Sequence, residues 1–153
     1  MNRSEKLRLT LAVAESCTGG LLGARLTAIP GSSDVVLGGV IAYANRIKTS
    51  LLGVDEGVLV EHGAVSEPVV RAMAAGARER TGARVGMAIT GVAGPGGGSE
   101  EKPVGTVWIA TDIDGAVETR RLRLIGDRAE VRQRAAQATL EMVRRRLLAD
   151  SAR

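Results

Sequence analysis

The chain has 153 residues, 44% hydrophobic and 25% charged, a composition typical of a globular protein that folds as one domain over residues 1–153. One cysteine excludes an internal disulfide, and one histidine without a CxxC motif leaves no zinc-site spacing. No apolar run reaches the roughly 18 residues that span a membrane, and the N-terminal segment lacks the apolar region of a signal peptide. We therefore expect a cytoplasmic protein with no membrane contact and no metal.

The net charge of +4 is unevenly distributed, because residues 120–153 contain ten arginines and four acidic residues. Such a basic segment attracts nucleic acid or holds an anionic ligand. One Trp, one Tyr and no Phe leave few aromatic platforms for stacking of single-stranded nucleic acid. We therefore expect no nucleic-acid partner. The competing hypothesis, a nucleic-acid-associated factor that uses the last helix, predicts an affinity that falls steeply with salt.

Strands and helices alternate along most of the chain. Glycines at Gly38 and Gly39 indicate a bulge or a close backbone approach in the second strand. Ser66 is a predicted N-cap, and Pro68 is typical of a first helical turn. The predicted elements are a strand (7–14), a short helix from Leu21 to near Pro30, a strand (35–43), helical segments (45–52 and 54–61), a helix from Ser66 to Gly82, three strands (85–90, 106–113 and 117–124) and a last helix from Gly126.

The last two strands are predicted to form a hairpin across Asp114 and Gly115, a common turn dipeptide. In the last helix, Asp127 and Glu130 have the spacing of a capping box. Alternating strands and helices followed by a hairpin predict an α/β layered fold with a mixed sheet. The predicted buried stripe of the last helix consists of Val131, Ala135, Ala138 and Met142.

Ser16 lies where the first strand gives way to a glycine-containing turn, in the segment AESCTGG (14–20). A serine there can attack a carbonyl while the backbone amides around Thr18, Gly19 and Gly20 hold the resulting oxyanion. The alternative is that Ser16 and Thr18 only cap the following helix. Cys17 is the neighbouring alternative nucleophile, but strand alternation directs its side chain elsewhere.

A serine nucleophile needs a base, and the only histidine, His62, precedes a glycine in a pattern typical of a helix end. Lys48 can take this role if burial lowers its pKa, since desolvation disfavours the ammonium form. Tyr43 lies five residues earlier and can orient the lysine or relay a proton. The alternatives are a solvated Lys48 and a half-buried packing role for Tyr43.

The segment ITGVAGPGGGSEEKPVGTVW (89–108) contains a glycine-rich loop without the spacing of a P-loop or of a dinucleotide-binding turn. Its glycines let the backbone approach a ligand closely, and successive amides can bind an anion. Candidate substrate contacts are Gly91 and Gly94, with Thr90 and Thr106 at the two ends. A flexible connection is the alternative.

Arg128 and Arg132 lie one turn apart near the start of the last helix, where they can together clamp a phosphate. The alternative for both is a solvated helix face.

Five segments along most of the chain form a recognisable set: AESCTGG (14–20), GGVIAYANRIKTSLLGV (38–54), HGAVSEPVV (62–70), ITGVAGPGGGSEEKPVGTVW (89–108) and GDRAEVR (126–132). In order and spacing they closely resemble the CinA C-terminal domain family, and in particular its nicotinamide-nucleotide amidohydrolase members. Compared with the family, we expect a shorter segment before the first strand and no counterpart of the nucleotide-processing domain of the larger members.

This resemblance implies a three-layer α/β/α sandwich and hydrolysis of nicotinamide mononucleotide to nicotinic acid mononucleotide and ammonia, without a cofactor. Ser16 matches the nucleophile, Lys48 and Tyr43 match its basic and aromatic partners, and Arg128 matches an arginine that we assign to the substrate phosphate. The resemblance also implies a homodimer or higher homo-oligomer. The alternative is a catalytically weak pyridine-nucleotide-binding or competence- and damage-associated module of the same family.

Overall fold

In the computed structural model of the chain, which describes residues 8–151, a five-stranded sheet separates two layers of helices. The predicted three-layer α/β/α architecture is confirmed. The elements are β1 (Leu11–Glu15), α1 (Leu21–Thr27), a 3₁₀ turn (Ser32–Asp34), β2 (Val36–Ile41), α2 (Asn45–Leu52), α3 (Glu56–His62), α4 (Glu67–Thr81), β3 (Val85–Gly91), β4 (Thr106–Ile113), β5 (Ala116–Arg123) and α5 (Arg128–Ser151).

The strand order is β2-β1-β3-β4-β5, with β1, β2 and β3 parallel and the last two strands antiparallel. The predicted mixed sheet and the hairpin are therefore confirmed. Asp114 and Gly115 both have positive φ, at 52° and 99°, as a two-residue hairpin turn requires. The predicted irregularity in β2 is present, since the β1–β2 register shifts there. β1 begins at Leu11, later than predicted, and Leu7 lies outside the described residues.

The two faces of the sheet carry side chains of different size. Branched and long residues such as Met87 and Ile109 face α1 and α5, whereas alanines such as Ala88 and Ala110 face α4. A Cβ at Gly86 of β3 would overlap the backbone of α4. Small residues therefore bring α4 close to the sheet. In this core, which has almost no aromatic residues, close approach of the backbones fills the space that large side chains would otherwise fill.

The last helix begins with the predicted capping box, in which Asp127 Oδ1 accepts from the Glu130 amide at 2.9 Å. Its buried stripe includes Val131 and Ala135 as predicted and then continues through Ala136, Thr139 and Val143. The predicted Ala138 and Met142 are only half-buried. The residues that face the sheet recur every four positions, at Val131, Ala135, Thr139 and Val143, so the buried stripe passes beside them.

Ser66 precedes α4 as predicted, but its hydroxyl donates to the Gly63 carbonyl at 2.8 Å and does not cap the helix. Within residues 8–151, no helix is both long and apolar enough to cross a membrane.

The carboxyl ends of the three parallel strands meet at one edge of the sheet. The chain crosses from β1 to β2 on one side and then to β3 on the other, so β1 lies at the switch point of the topology. Crevices outside such a point are the usual ligand sites of α/β sheets. The segments after β1, β2 and β3 are the ones that supplied the candidate residues.

Candidate active site

Ser16 is the first residue after β1, and its backbone amide donates to the Ile89 carbonyl of β3 at 3.0 Å. This hydrogen bond ties the serine to the central strands and limits its movement. Its side chain is 9% exposed and lies at the bottom of a cleft. Ser16 Oγ is 3.0 Å from Lys48 Nζ, so the structure brings together the predicted nucleophile and base.

Lys48 comes from α2 and is only 1% exposed, which excludes the solvated alternative. Its Nζ also donates to the Ala42 carbonyl at 2.8 Å and to the Tyr43 carbonyl at 3.2 Å. Desolvation by burial lowers the pKa of this amine from its ordinary value of 10.5. A neutral amine has two N–H bonds and one lone pair. The two carbonyls take the N–H bonds, and the lone pair is left for the Ser16 hydroxyl.

The turn after Ser16 presents backbone donors. The Gly19 amide is already bonded to the Ser16 carbonyl at 3.1 Å, so it is the one predicted donor that is occupied. The amides of Thr18 and Gly20 meet no backbone acceptor within residues 8–151, whereas the Cys17 amide lies against its own sulfur. Gly20 has a φ of 110°, a conformation that favours glycine. The turn can therefore offer N–H groups to a negatively charged oxygen.

Glu15 is a buried carboxylate that holds this turn, and it was not among the predicted site residues. Its Oε1 accepts from the Thr18 hydroxyl at 2.6 Å and from the Leu22 amide at 2.8 Å, and Oε2 accepts from the Gly23 amide at 3.0 Å. The carboxylate replaces the missing N-cap side chain of α1, where the helix dipole favours negative charge. The Thr18 side chain is therefore structural and points to Glu15.

The cleft has a volume of about 300 Å³, at the lower end of the range for small-molecule sites. Two residues of the glycine loop predicted as substrate contacts, Gly91 and Gly94, are part of its lining. The described residues that line it are Ser16, Cys17, Tyr43, Val65, Gly91, Val92, Ala93, Gly94, Gly96, Gly97 and Arg128.

Thr90 and Thr106 are buried outside this lining. The Thr90 hydroxyl donates to the Ala64 carbonyl at 3.0 Å and the Thr106 hydroxyl to the Pro103 carbonyl at 2.6 Å. Both threonines therefore hold neighbouring loops in place. Thr18, Gly19 and Gly20, the predicted amide donors, also lie outside the lining.

Tyr43 and Arg128 form the rim of the cleft. The tyrosine is 61% exposed, and its hydroxyl accepts from Arg128 at 3.1 Å. The same guanidinium donates to the Gly94 carbonyl at 2.7 Å. Tyr43 contacts Lys48 through its backbone carbonyl, while its phenol contacts the arginine. The exposed arginine is available to an anion at the mouth of the cleft.

Contrary to the sequence prediction, the Arg132 guanidinium does not join that of Arg128 in a common anion site. Its Nε donates to the Cys17 carbonyl at 3.2 Å and its terminal nitrogen to the Thr18 carbonyl at 2.9 Å. It is outside the cleft lining and contacts the turn that follows Ser16. A periodic pattern places two arginines on one helix face, but it does not show that one of the two guanidinium groups donates to backbone carbonyls.

Two further candidates are weakened by their surroundings. Burial raises the pKa of the Cys17 thiol to about 11, which disfavours the reactive thiolate. His62 is half-exposed at the end of α3 beside Glu61, and it is not part of the described cleft lining. Across residues 8–151, no group of three or more His, Cys, Asp or Glu side chains is arranged to hold a metal ion.

Comparison with known proteins extends these observations. A "CinA-like protein" of Gemmatimonas aurantiaca is 64% identical over 137 residues, covering 90% of this chain and 32% of that protein. A "putative competence-damage inducible protein" of Moorella thermoacetica is 53% identical over 141 residues, covering 92% of this chain and 34% of that protein. The chain thus spans about a third of the length of these curated relatives.

Solved structures agree with the same assignment. A competence/damage inducible protein of Agrobacterium tumefaciens superposes with a TM-score of 0.88 at 45% identity, covering 90% of this chain and 85% of that one. A CinA superfamily protein of Klebsiella pneumoniae gives 0.90 at 37% identity, covering 93% and 89%. The family model described as the CinA C-terminal domain matches residues 1–147. The chain therefore belongs to the CinA C-terminal domain family.

Proposed function

We propose that this chain is an amidohydrolase that converts nicotinamide mononucleotide to nicotinic acid mononucleotide and ammonia. The observation that carries the proposal is the 3.0 Å contact between Ser16 Oγ and the fully buried Lys48 Nζ. A buried amine beside a hydroxyl in a cleft has the geometry of a nucleophile with its general base. The substrate follows from the resemblance of the site segments to nicotinamide-nucleotide amidohydrolases.

In the first step, neutral Lys48 accepts the Ser16 proton while Ser16 Oγ attacks the carboxamide carbon. The carbonyl oxygen of the substrate becomes an oxyanion. The unpaired amides of Thr18 and Gly20 are the donors that we assign to this charge. In other enzymes, the loss of one such donor costs about 3–4 kcal/mol of transition-state stabilisation.

In the second step, the C–N bond breaks and the nitrogen leaves as ammonia after it receives a proton from the Lys48 ammonium. The Tyr43 hydroxyl, on the cleft wall, is the second candidate proton donor. Water then attacks the acyl-enzyme with Lys48 again as base, and Ser16 recovers its proton. The net reaction consumes one water and yields a carboxylate and an ammonium ion, since the proton of the acid formed is taken up by the released ammonia.

The rim of the cleft supports a phosphorylated substrate. The Arg128 guanidinium lies at the mouth with Tyr43 and Gly94 as partners, and it makes no ion pair with any acid among the described residues. When an arginine has no carboxylate partner, no protein anion competes with an anionic ligand for its charge. Its planar guanidinium also matches the spacing of phosphate oxygens. The 5′-phosphate of the substrate is the group that we assign to it.

The test is ammonia release from nicotinamide mononucleotide, nicotinamide riboside and nicotinamide, each incubated with the purified protein. We expect turnover of the mononucleotide, a large loss without the phosphate, and no turnover by Ser16→Ala. Ser50→Ala, a serine on the exposed side of α2, is the matched control and keeps wild-type activity. If calorimetry shows that the mononucleotide binds but no ammonia forms, the chain is a nucleotide-binding module and the enzymatic proposal is wrong.

A further inference from the structure

Arg132 is the strongest unassigned feature near the site. It comes from the second turn of α5, where Val131 and Ala135 are fully buried against the sheet and fix the helix. Its guanidinium holds two consecutive carbonyls, those of Cys17 and Thr18. Among residues 8–151 it makes no ion pair with a carboxylate, so its charge is compensated only by backbone dipoles. A single contact would be enough to attach α5 to the neighbouring turn. Contacts to two adjacent carbonyls also fix the orientation of the peptide groups that follow the nucleophile.

The orientation of these peptide groups follows from their geometry. Both are trans, since the only cis peptide bond in the described chain lies in the glycine loop. In a trans peptide, the C=O of one residue and the N–H of the next point in opposite directions. With the Cys17 and Thr18 carbonyls turned toward Arg132, the amides of Thr18 and Gly19 point away from it. The Gly19 amide returns to the Ser16 carbonyl, and the Thr18 amide remains unpaired.

We propose that Arg132 is a positioning residue that orients the turn after Ser16, so that the unpaired Thr18 amide is preset to receive an oxyanion. This inference rests on the proposed nucleophilic role of Ser16 and adds a residue to that mechanism. The arginine acts in two ways. Its bidentate contact fixes the peptide planes, and its positive charge polarises the amides on their far side. Preset dipoles stabilise a transition state because they do not have to reorganise during the reaction.

Glu15 holds the same turn through the Thr18 hydroxyl, which donates to its Oε1 at 2.6 Å. The turn is therefore held at its side chain by an anion and at its carbonyls by a cation. The two contacts differ in their expected effect. Loss of the Glu15 contact removes three hydrogen bonds, two of them from amides of α1, and lowers stability, whereas loss of the half-buried Arg132 leaves the Thr18 carbonyl with the Leu21 amide as its donor.

The experiment measures the reactivity of Ser16 without relying on the natural substrate. The probe is a small alkyl phosphonofluoridate. Ser16 Oγ forms a bond to phosphorus, the P–F bond breaks, fluoride leaves, and Lys48 takes the serine proton. The phosphoryl oxygen gains negative charge during this step and needs the same amides. Intact-mass spectrometry gives the labelling rate, and Ser16→Ala shows that the label is on Ser16.

We expect Arg132→Met to lower the labelling rate and the kcat for ammonia release by about 10- to 100-fold, with KM changed less than threefold. Arg132→Lys, which keeps the charge but contacts one carbonyl, recovers part of the rate. Arg134→Met is the control, since Arg134 is on the same helix and bonds Ile125 and Glu130 instead. Thermal unfolding of each variant shows whether the fold is intact.

The outcomes separate the two proposals. If the wild type is labelled at Ser16 but does not hydrolyse nicotinamide mononucleotide, the proposed substrate is wrong, and the labelling rates still test Arg132. If folded Arg132→Met is labelled at the wild-type rate, Arg132 only supports the structure and this inference is overturned. If the wild type is not labelled at Ser16, the nucleophile assignment fails and the role of Arg132 fails with it.

Discussion

Replacement of Lys48 by methionine removes the proposed base while it keeps the length of the side chain. The two hydrogen bonds to the Ala42 and Tyr43 carbonyls are lost, at a net cost of about 1 kcal/mol each. Relief of the desolvation of a buried amine offsets part of this cost. The expected loss of stability is therefore about 2 kcal/mol or less, which corresponds to a fall in Tm of roughly 4–8 °C for a chain of this length.

Such a loss leaves the protein folded, because typical domains have about 5–15 kcal/mol of unfolding free energy. The effect on catalysis is much larger, since a general base contributes about 10²–10⁴ in rate. We expect Lys48→Met to release ammonia at least 100-fold more slowly than the wild type. Its unfolding transition should remain cooperative, which shows that the variant is folded. Lys102→Met is the matched control, as Lys102 is the other lysine within residues 8–151 and its Nζ donates to the His62 carbonyl, outside the cleft lining. A folded Lys48→Met protein with a tenth of wild-type activity would refute the assignment of the base.

The pH dependence gives a second prediction from the same residue. Only the neutral amine accepts a proton, so kcat/KM rises with pH through the lowered pKa of Lys48 and levels off below the ordinary value of 10.5. Stability has the same sign. Between the lowered pKa and 10.5 the unfolded chain binds a proton that the folded chain does not, so the free energy of unfolding rises with pH. Denaturant titrations of wild type and Lys48→Met should diverge across this window, and parallel curves would contradict the neutral amine.

Two further predictions concern the neighbours of Ser16. Because burial raises the pKa of Cys17 to about 11, alkylation by iodoacetamide at pH 8 should be about 100-fold slower in the native protein than in urea, and Cys17→Ala should keep its activity. Loss of activity in that variant would point to the thiol as nucleophile. Glu15→Leu leaves the Thr18 hydroxyl and two amides of α1 unpaired and should cost about 2–4 kcal/mol in urea unfolding. Glu130→Leu, at the exposed cap of α5, should cost less than half as much.

The sequence predicted the order of the elements well because local signals and tertiary packing agree. The Asp114-Gly115 turn between β4 and β5 and the cap at Asp127 each have a direct physical cause, and both are present. The parallel strands were also predicted, with errors of a few residues at their ends. The edge that collects the candidate segments follows from this order alone, since parallel strands end on the same side of a sheet.

The details of the site were less predictable because they depend on the direction of individual groups. No pattern in the sequence shows that the Tyr43 carbonyl holds the lysine while its phenol contacts Arg128. Thr90 and Thr106 lie in the right segment but turn toward carbonyls of adjacent loops. The predicted homo-oligomer stays a prediction.

Glu15 had a detectable signal that was not used. An acidic residue in an otherwise apolar strand, just before a turn that opens a helix, is costly to bury unless amides of that helix donate hydrogen bonds to its carboxylate. This reasoning identifies Glu15 as the cap of α1 from the sequence alone. The same reasoning does not reach Arg132, because its contacts join residues more than 110 positions apart.

The small-residue packing around α4 connects the fold to the chemistry. A Cβ at Gly76 of α4 would overlap the Leu52 carbonyl at the end of α2, so this glycine lets α2 lie close to α4. Leu52 is one turn from Lys48, and both are buried on the same side of α2. Gly76→Ala should push this helix outward, admit water to the amine, and cost about 1–3 kcal/mol.

The informative consequence is a shift of the pH profile of kcat/KM to higher pH, as the pKa of a hydrated Lys48 returns toward 10.5. Gly86→Ala is the control, because its Cβ would overlap the Ala74 carbonyl within the same helix layer without contact to α2. We expect both variants to lose stability and only Gly76→Ala to shift the profile. Equal profiles would mean that the depth of Lys48 does not depend on how closely these two helices pack.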